Sequence, residues 1–229
     1  DILSPTYISS LDLDIGENTA CWAAFLVGDR LLVNVASNDK TKAGIMIVNV
    51  SDVSAPAANG WMAHSGRAIV KPLDEGHVLV SHPYERKGNR TYYYLEIWLV
   101  GESPEKCRML SSYTPKEYPL ITGASWDSNK RQLYVSLAWN VGTQDAVSTW
   151  TEGANNSASS AVATLSVGKD WKLSEASSMP AGGCSRFKAN AISPNGKYLA
   201  VSDYNYGVWI LERNAGLKKI GGFMTSAEG

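Results

Sequence analysis

The sequence predicts an all-β fold, a β-propeller of four-stranded antiparallel blades, on three observations. A turn-forming patch runs into a short apolar strand four times: Gly28-Asp29-Arg30 before Leu31–Asn34, Asp74–His77 before Val78–Ser81, Asp127–Lys130 before Leu133–Ser136, and Pro194–Lys197 before Leu199–Ser202. With Val33, Val80, Val135 and Val201 as equivalent points, the units recur at spacings of 47, 55 and 66 residues, near or above the repeat of about 40–50 expected of propeller blades. No segment of useful length carries apolar residues at helical spacing, so almost no helix is expected.

The blades fall at about 19–63, 66–113, 120–179 and 186–224. In the first, strands are expected at 21–27, 30–36, 44–50 and 59–63, with Ser51–Pro56 as the turn before the last, because Pro and Asp cannot continue a ladder. The second uses 68–71, 77–82, 92–100 and 106–113; its third strand is β-rich on both faces, as suits a strand sandwiched between two neighbours. The third uses 121–126, 132–139, 161–167 and 171–177, and the fourth 187–192, 198–203, 207–212 and 217–223. The polar, Gly/Ser/Asn-rich residues 140–160 read as a long loop, with Trp139 and Trp150 near or within it. Residues 1–18 hold one more alternation, Tyr7 to Ile15, expected as a half-buried closing or orphan strand. Four blades lie at the low end of closed rings, which run from about 4 to 8. The sequence therefore points to a small or five-bladed ring, or to a piece of a larger one.

Of the 229 residues, 21 are basic and 22 acidic, giving a formal charge of −1. No basic face can be assumed from that balance, and nucleic acid is not an expected partner. Apolar runs fall well short of the roughly 18 residues that a helical membrane span needs. Asp1–Pro5 has neither an initiator Met nor a signal-peptide pattern, which gives the look of a trimmed terminus and no address for a compartment. Three widely spaced cysteines, Cys21, Cys107 and Cys184, read as free thiols, a Cys21–Cys184 pair being the alternative.

The stretch Ile192-Ser193-Pro194-Asn195-Gly196-Lys197-Tyr198-Leu199-Ala200-Val201-Ser202-Asp203, followed by Gly207–Glu212, resembles a blade of WD40-like or lactonase-like propellers. Ala124–Ser136 is a looser copy. Gly76-His77 opens a second strand and Trp126-Asp127 ends a first one, so the hydrogen-bonded tetrad of WD40 blades does not carry over. The resemblance implies a fold and no reaction.

In such a fold the loops entering each first strand share one end with those joining second to third strands. On this map that end collects His64, Arg67, His82, Tyr84, Arg86, Trp139, Arg186, Asp203 and Tyr204, with Asp14, Glu17 and Tyr206 beside them. Arg67 and Arg186 start inner strands, where bidentate geometry suits an anionic ligand or a partner carboxylate, or a structural pairing with Asp203 or Glu17. His77 and His82 stand at odd spacing on a strand, on opposite faces, so no metal site is expected. No Gly-x-Ser-x-Gly or phosphate-cradling glycine loop occurs, so no catalytic residue and no cofactor are assigned. The sequence favours a binding or scaffolding module that docks a protein, or the remaining blades on another chain or segment, through this loop-bearing end. The alternatives are a lactonase- or hydrolase-like enzyme acting on a small molecule at the channel mouth, and carbohydrate recognition through Trp139, Trp150 and Tyr204.

Overall fold

The structure is a computed structural model that describes residues 6–13, 15, 19–37, 43–63, 69–74, 76–87, 90–115, 120–138, 160–181, 187–204, 206–214 and 216–223. Sixteen strands form four antiparallel sheets, each a simple meander of four. They are β1 (Thr19–Val27), β2 (Arg30–Ser37), β3 (Gly44–Asn49) and β4 (Ala57–Ala63); β5 (Ile69–Asp74), β6 (His77–Lys87), β7 (Arg90–Leu99) and β8 (Arg108–Tyr113); β9 (Leu120–Asp127), β10 (Gln132–Ala138), β11 (Ser160–Val167) and β12 (Leu173–Ala181); and β13 (Phe187–Ile192), β14 (Tyr198–Asp203), β15 (Gly207–Arg213) and β16 (Leu217–Phe223). Among the described residues the one helical element is a 3-10 turn at Pro104–Lys106. The chain divides into two compact units, Asp1–Tyr84 with Leu95–Ser111, and Glu85–Tyr94 with Ser112–Gly229.

Strand chemistry explains the burial. The middle strands β2, β3, β10 and β11 are apolar on consecutive residues and buried along most of their length, as expected when both faces of a sheet are covered. The outer strands β12 and β16 carry Ser, Glu, Lys and Gly and are largely exposed. The four aligned valines occupy one register position: Val33 pairs with Ala24, Val80 with Val70, Val135 with Ala124 and Val201 with Asn190. One residue further on stand Asn34, Ser81, Ser136 and Ser202. Beside three of them the first strand bulges by one residue, between Cys21 and Ala23, at Thr122, and between Phe187 and Ala189. Side chains serve the interrupted ladder: Thr122 Oγ1 donates to the Ser136 carbonyl (3.1 Å), and the Ala189 amide donates to Ser202 Oγ (3.0 Å).

In the first unit, Val27, Leu32, Ile45, Ile47 and Met62 of the first sheet pack with Val70, Val78, Val80 and Val100 of the second. The opposite face of the first sheet, with Val33, Val35 and Val48, is covered by Leu11, Leu13 and Ile15. The amino-terminal alternation thus does bury one side, but its described residues carry no strand ladder. Cys21 and Cys107 are free thiols; Cys184 lies outside the described residues.

In the second unit the sheets β9–β12 and β13–β16 pack through Tyr134, Val162 and Ala181 against Phe187, Leu199, Val201 and Leu211. Their first strands approach most closely at Gly123, where a Cβ would lie 2.9 Å from Ala189 Cα and 3.2 Å from the Asn190 nitrogen. Backbone on the far side cannot move away as a flexible side chain can. Gly123→Ala is therefore expected to destabilise the chain by about 1–3 kcal/mol through overpacking. Gly221→Ala, where nothing lies within 4 Å, should fall within about 0.5 kcal/mol of wild type. Urea midpoints at constant slope measure both, and equal midpoints for the two variants would contradict this packing.

Candidate functional site

The sequence-based site is described in part. His64, Arg67, Trp139 and Arg186 lie outside the described residues, as do Asp14, Glu17 and Trp150. His82, Tyr84 and Arg86 fall on β6, which continues to Lys87 where the sequence reading ended it at His82. The stretch read as a loop after His82 is thus mostly strand. Asp203 and Tyr204 are both described, at the end of β14. Asp203 is buried and pairs across the ladders with Phe187 and Gly207. Tyr204 is 70% exposed, and Tyr206 is exposed beside it. Lys188, the bulged residue of β13, places its Nζ 5.7 Å from the centre of the Tyr204 ring, within cation–π range. At this same end of the second unit the Phe187 amide donates to Ser160 Oγ (3.1 Å), tying β13 to β11. The result is a buried carboxylate beneath an exposed rim of one cation and two phenols.

The opposite end of the second unit holds a polar cluster that the sequence reading missed. Arg213, at the end of β15, has a fully buried side chain. Its Nη2 donates to Asp127 Oδ2 at the end of β9 and to the Tyr134 hydroxyl (3.1 Å), while Nη1 donates to the Gly196 carbonyl (2.7 Å). The guanidinium lies 4.4 Å from the centre of the Tyr134 ring. The Tyr134 hydroxyl donates to Gln132 Oε1 (2.8 Å), and Lys130 Nζ donates to the Arg213 carbonyl (3.0 Å). The signal was available. Arg213 continues the inward alternation of Gly207, Trp209 and Leu211, whose first and last members are buried, and an arginine there must find a carboxylate.

Midway between the two ends, Asn190 bridges the same sheets. Its Nδ2 donates to the Tyr134 carbonyl (3.0 Å) and to Ser136 Oγ (2.7 Å), and its own carbonyl accepts from Ser125 Oγ (2.9 Å). Among the described residues Asn190 Oδ1 has no hydrogen-bond partner.

Beside the Arg213 cluster, two hairpin loops meet through Arg131. Arg131 and Trp171 both take positive φ, 49° and 64°, a region where a bulky side chain costs about 1–3 kcal/mol. Arg131 Nε and Nη2 donate to the carbonyls of Val167 (3.1 Å) and Gly168 (2.7 Å). Its guanidinium sits 4.5 Å from the Trp171 ring centre and 5.9 Å from that of Trp126. The bonds and stacking offset the backbone cost and hold the loops in one arrangement.

Among the described residues no group of three or more His, Cys, Asp and Glu is placed to hold a metal ion. No protein-family model and no curated protein sequence matches the chain. Solved structures do. A putative 6-phosphogluconolactonase from Bacteroides uniformis is similar at 14% identity over 84% of this chain and 50% of its own, with a TM-score of 0.56. The β-propeller domain of Cps50 (Swd1) from Myceliophteria thermophila is similar at 16% identity over 86% of this chain and 57% of its own, with a TM-score of 0.52. The fold is thus of the β-propeller class, with four four-stranded antiparallel sheets as blades, and the chain spans about half the length of these structures.

Desolvation of the Asp127 carboxyl pushes its pKa up, but the hydrogen bond from Arg213, backbone amides and the guanidinium charge outweigh it, and the net shift is downward. A depressed pKa in the folded state contributes stability that is present above the unfolded value and lost as pH falls through the folded one. The urea-midpoint difference between wild type and Asp127→Asn should therefore be constant above about pH 5 and shrink as pH falls below about 4. A difference that stays constant down to about pH 3 would contradict the pairing.

Proposed function

We propose that the chain is a binding or scaffolding propeller module that docks a protein partner through the end carrying Asp203, Tyr204 and the loops before the first strands. The observation that carries this is the exposed Lys188–Tyr204–Tyr206 rim over the buried Asp203. Aromatic side chains with a fixed cation give large contact area at low entropic cost, which is the usual makeup of energetic centres in protein interfaces. The remaining blades of the ring are a second expected partner, supplied by another chain or segment, because the chain matches only 50% and 57% of the two propellers. An enzymatic role at the same end is the competing reading, favoured by the likeness to a putative 6-phosphogluconolactonase. It requires converging His or carboxylate groups in a pocket at the channel mouth.

The test is affinity capture with wild type and with a Lys188→Ala/Tyr204→Ala variant, followed by titration of the captured protein against both as purified components. Binding by the variant should weaken by about tenfold or more, with an unchanged thermal midpoint. Equal affinity for the two, or lactone hydrolysis by the purified chain that is lost on Arg67→Ala, would overturn the proposal.

A further inference from the structure

Net charge near zero hides a segregation of charge at the end of the second unit opposite Tyr204. Four hairpins lie there, and hydrogen bonds join them into one face. Arg131 ties the β9–β10 hairpin to the β11–β12 hairpin at Val167 and Gly168. Lys130 and Asp127 tie it to Arg213 before the β15–β16 hairpin, and Arg213 in turn binds Gly196 of the β13–β14 hairpin. Onto this scaffold the sequence places exposed Lys169, Lys172, Lys197, Lys218 and Lys219, besides Lys130 and the partly exposed Arg131. Among the described residues the unburied carboxylates there, besides Asp127, are Asp170, Glu175 and Glu212, and Glu175 accepts from the Tyr113 hydroxyl (2.7 Å). Asp170 is paired with Lys172 (3.2 Å), and Glu212 pairs in register with Lys218. Asp127 is already neutralised by Arg213. Aromatic surface lies among the cations: Trp126 and Trp171 flank Arg131, and Tyr198 is exposed beside Lys197.

We infer that this hairpin face is a second docking surface, and that its occupant is an extended, carboxylate-rich segment of a protein partner. Two features select that chemistry. The cations are distributed over separate hairpins, so a flexible acidic chain can meet them one after another. Arg131 is held by two backbone carbonyls and two indole rings, and a guanidinium fixed in this way is pre-organised for a carboxylate.

The experiment titrates the full chain with a synthetic poly-glutamate peptide, with a single-stranded oligonucleotide of equal length and with phosphatidylserine vesicles, at low and high salt. Lys169→Glu/Lys197→Glu reverses two exposed charges that make none of the structural bonds described above. The peptide should bind wild type, weaken with salt as exposed charge pairs do, and lose about tenfold or more in affinity in the variant at an unchanged thermal midpoint. Lys188→Ala/Tyr204→Ala should leave peptide binding intact, which separates this surface from the other end. No peptide binding by wild type, affinity untouched by the charge reversal, or tighter binding of the oligonucleotide or vesicles would overturn the inference.

Discussion

A buried guanidinium governs the second unit. Removing a charge from water costs several kcal/mol unless every donor is met in good geometry. The two terminal nitrogens of Arg213 are met by Asp127, by the Tyr134 hydroxyl and ring, and by the Gly196 carbonyl, while its Nε has no hydrogen-bond partner among the described residues. Those partners come from β9, from β10 and from the β13–β14 turn, so the arrangement exists only when the third blade lies in register against the fourth. Apolar packing between Tyr134, Phe187, Leu199 and Leu211 supplies much of the attraction, but a greasy surface tolerates sliding. The ion cluster at one end and the Asn190 bridge in the middle tolerate far less, because a slip of one residue strands a buried charge.

The two ends of this unit divide the labour. At the hairpin end the loops are short and cross-linked by Asp127, Lys130, Arg131 and Arg213, and even residues at positive φ are held in place. At the other end the flanks of the connections carry the exposed phenols and Lys188. A scaffold whose strands are pinned at one end can vary its opposite loops at little cost to the packed sheets, which is why binding groups collect on loops over rigid frames.

Much of the fold was legible because blade strands are short, apolar and separated by Gly, Asn, Asp and Pro. The fourth blade was read almost to the residue: 187–192, 198–203 and 217–223 match the observed bounds, and the third strand gains only Arg213. The register of Val33, Val80, Val135 and Val201 followed from the turn-forming patch that precedes each of their strands. Other features depended on partners distant in sequence. The run from His82 to Lys87 holds Pro83 and three successive charged residues, and it reads as loop until its pairing with β7 is seen. Leu11, Leu13 and Ile15 alternate as a strand would, yet what they share with the first sheet is apolar burial. Asp127 and Arg213 lie 86 residues apart, and no local pattern marks them as a pair. Of the candidate site, Asp203 and Tyr204 could be located, because the Asp-Tyr turn after an apolar strand is itself a local signal; the cationic hairpin face could not, because its lysines are scattered along four separate turns.

The central claim, that the Arg213–Asp127 pair locks one blade to the next, is tested most directly by a double-mutant cycle. Stabilities of wild type, Asp127→Ala, Arg213→Met and the double variant would be measured by urea unfolding at neutral pH. A lock of this kind predicts a coupling of about 2 kcal/mol or more, with the double variant more stable than the sum of the single losses implies. Additive losses within about 0.5 kcal/mol would mean that the two residues act independently, and would contradict it.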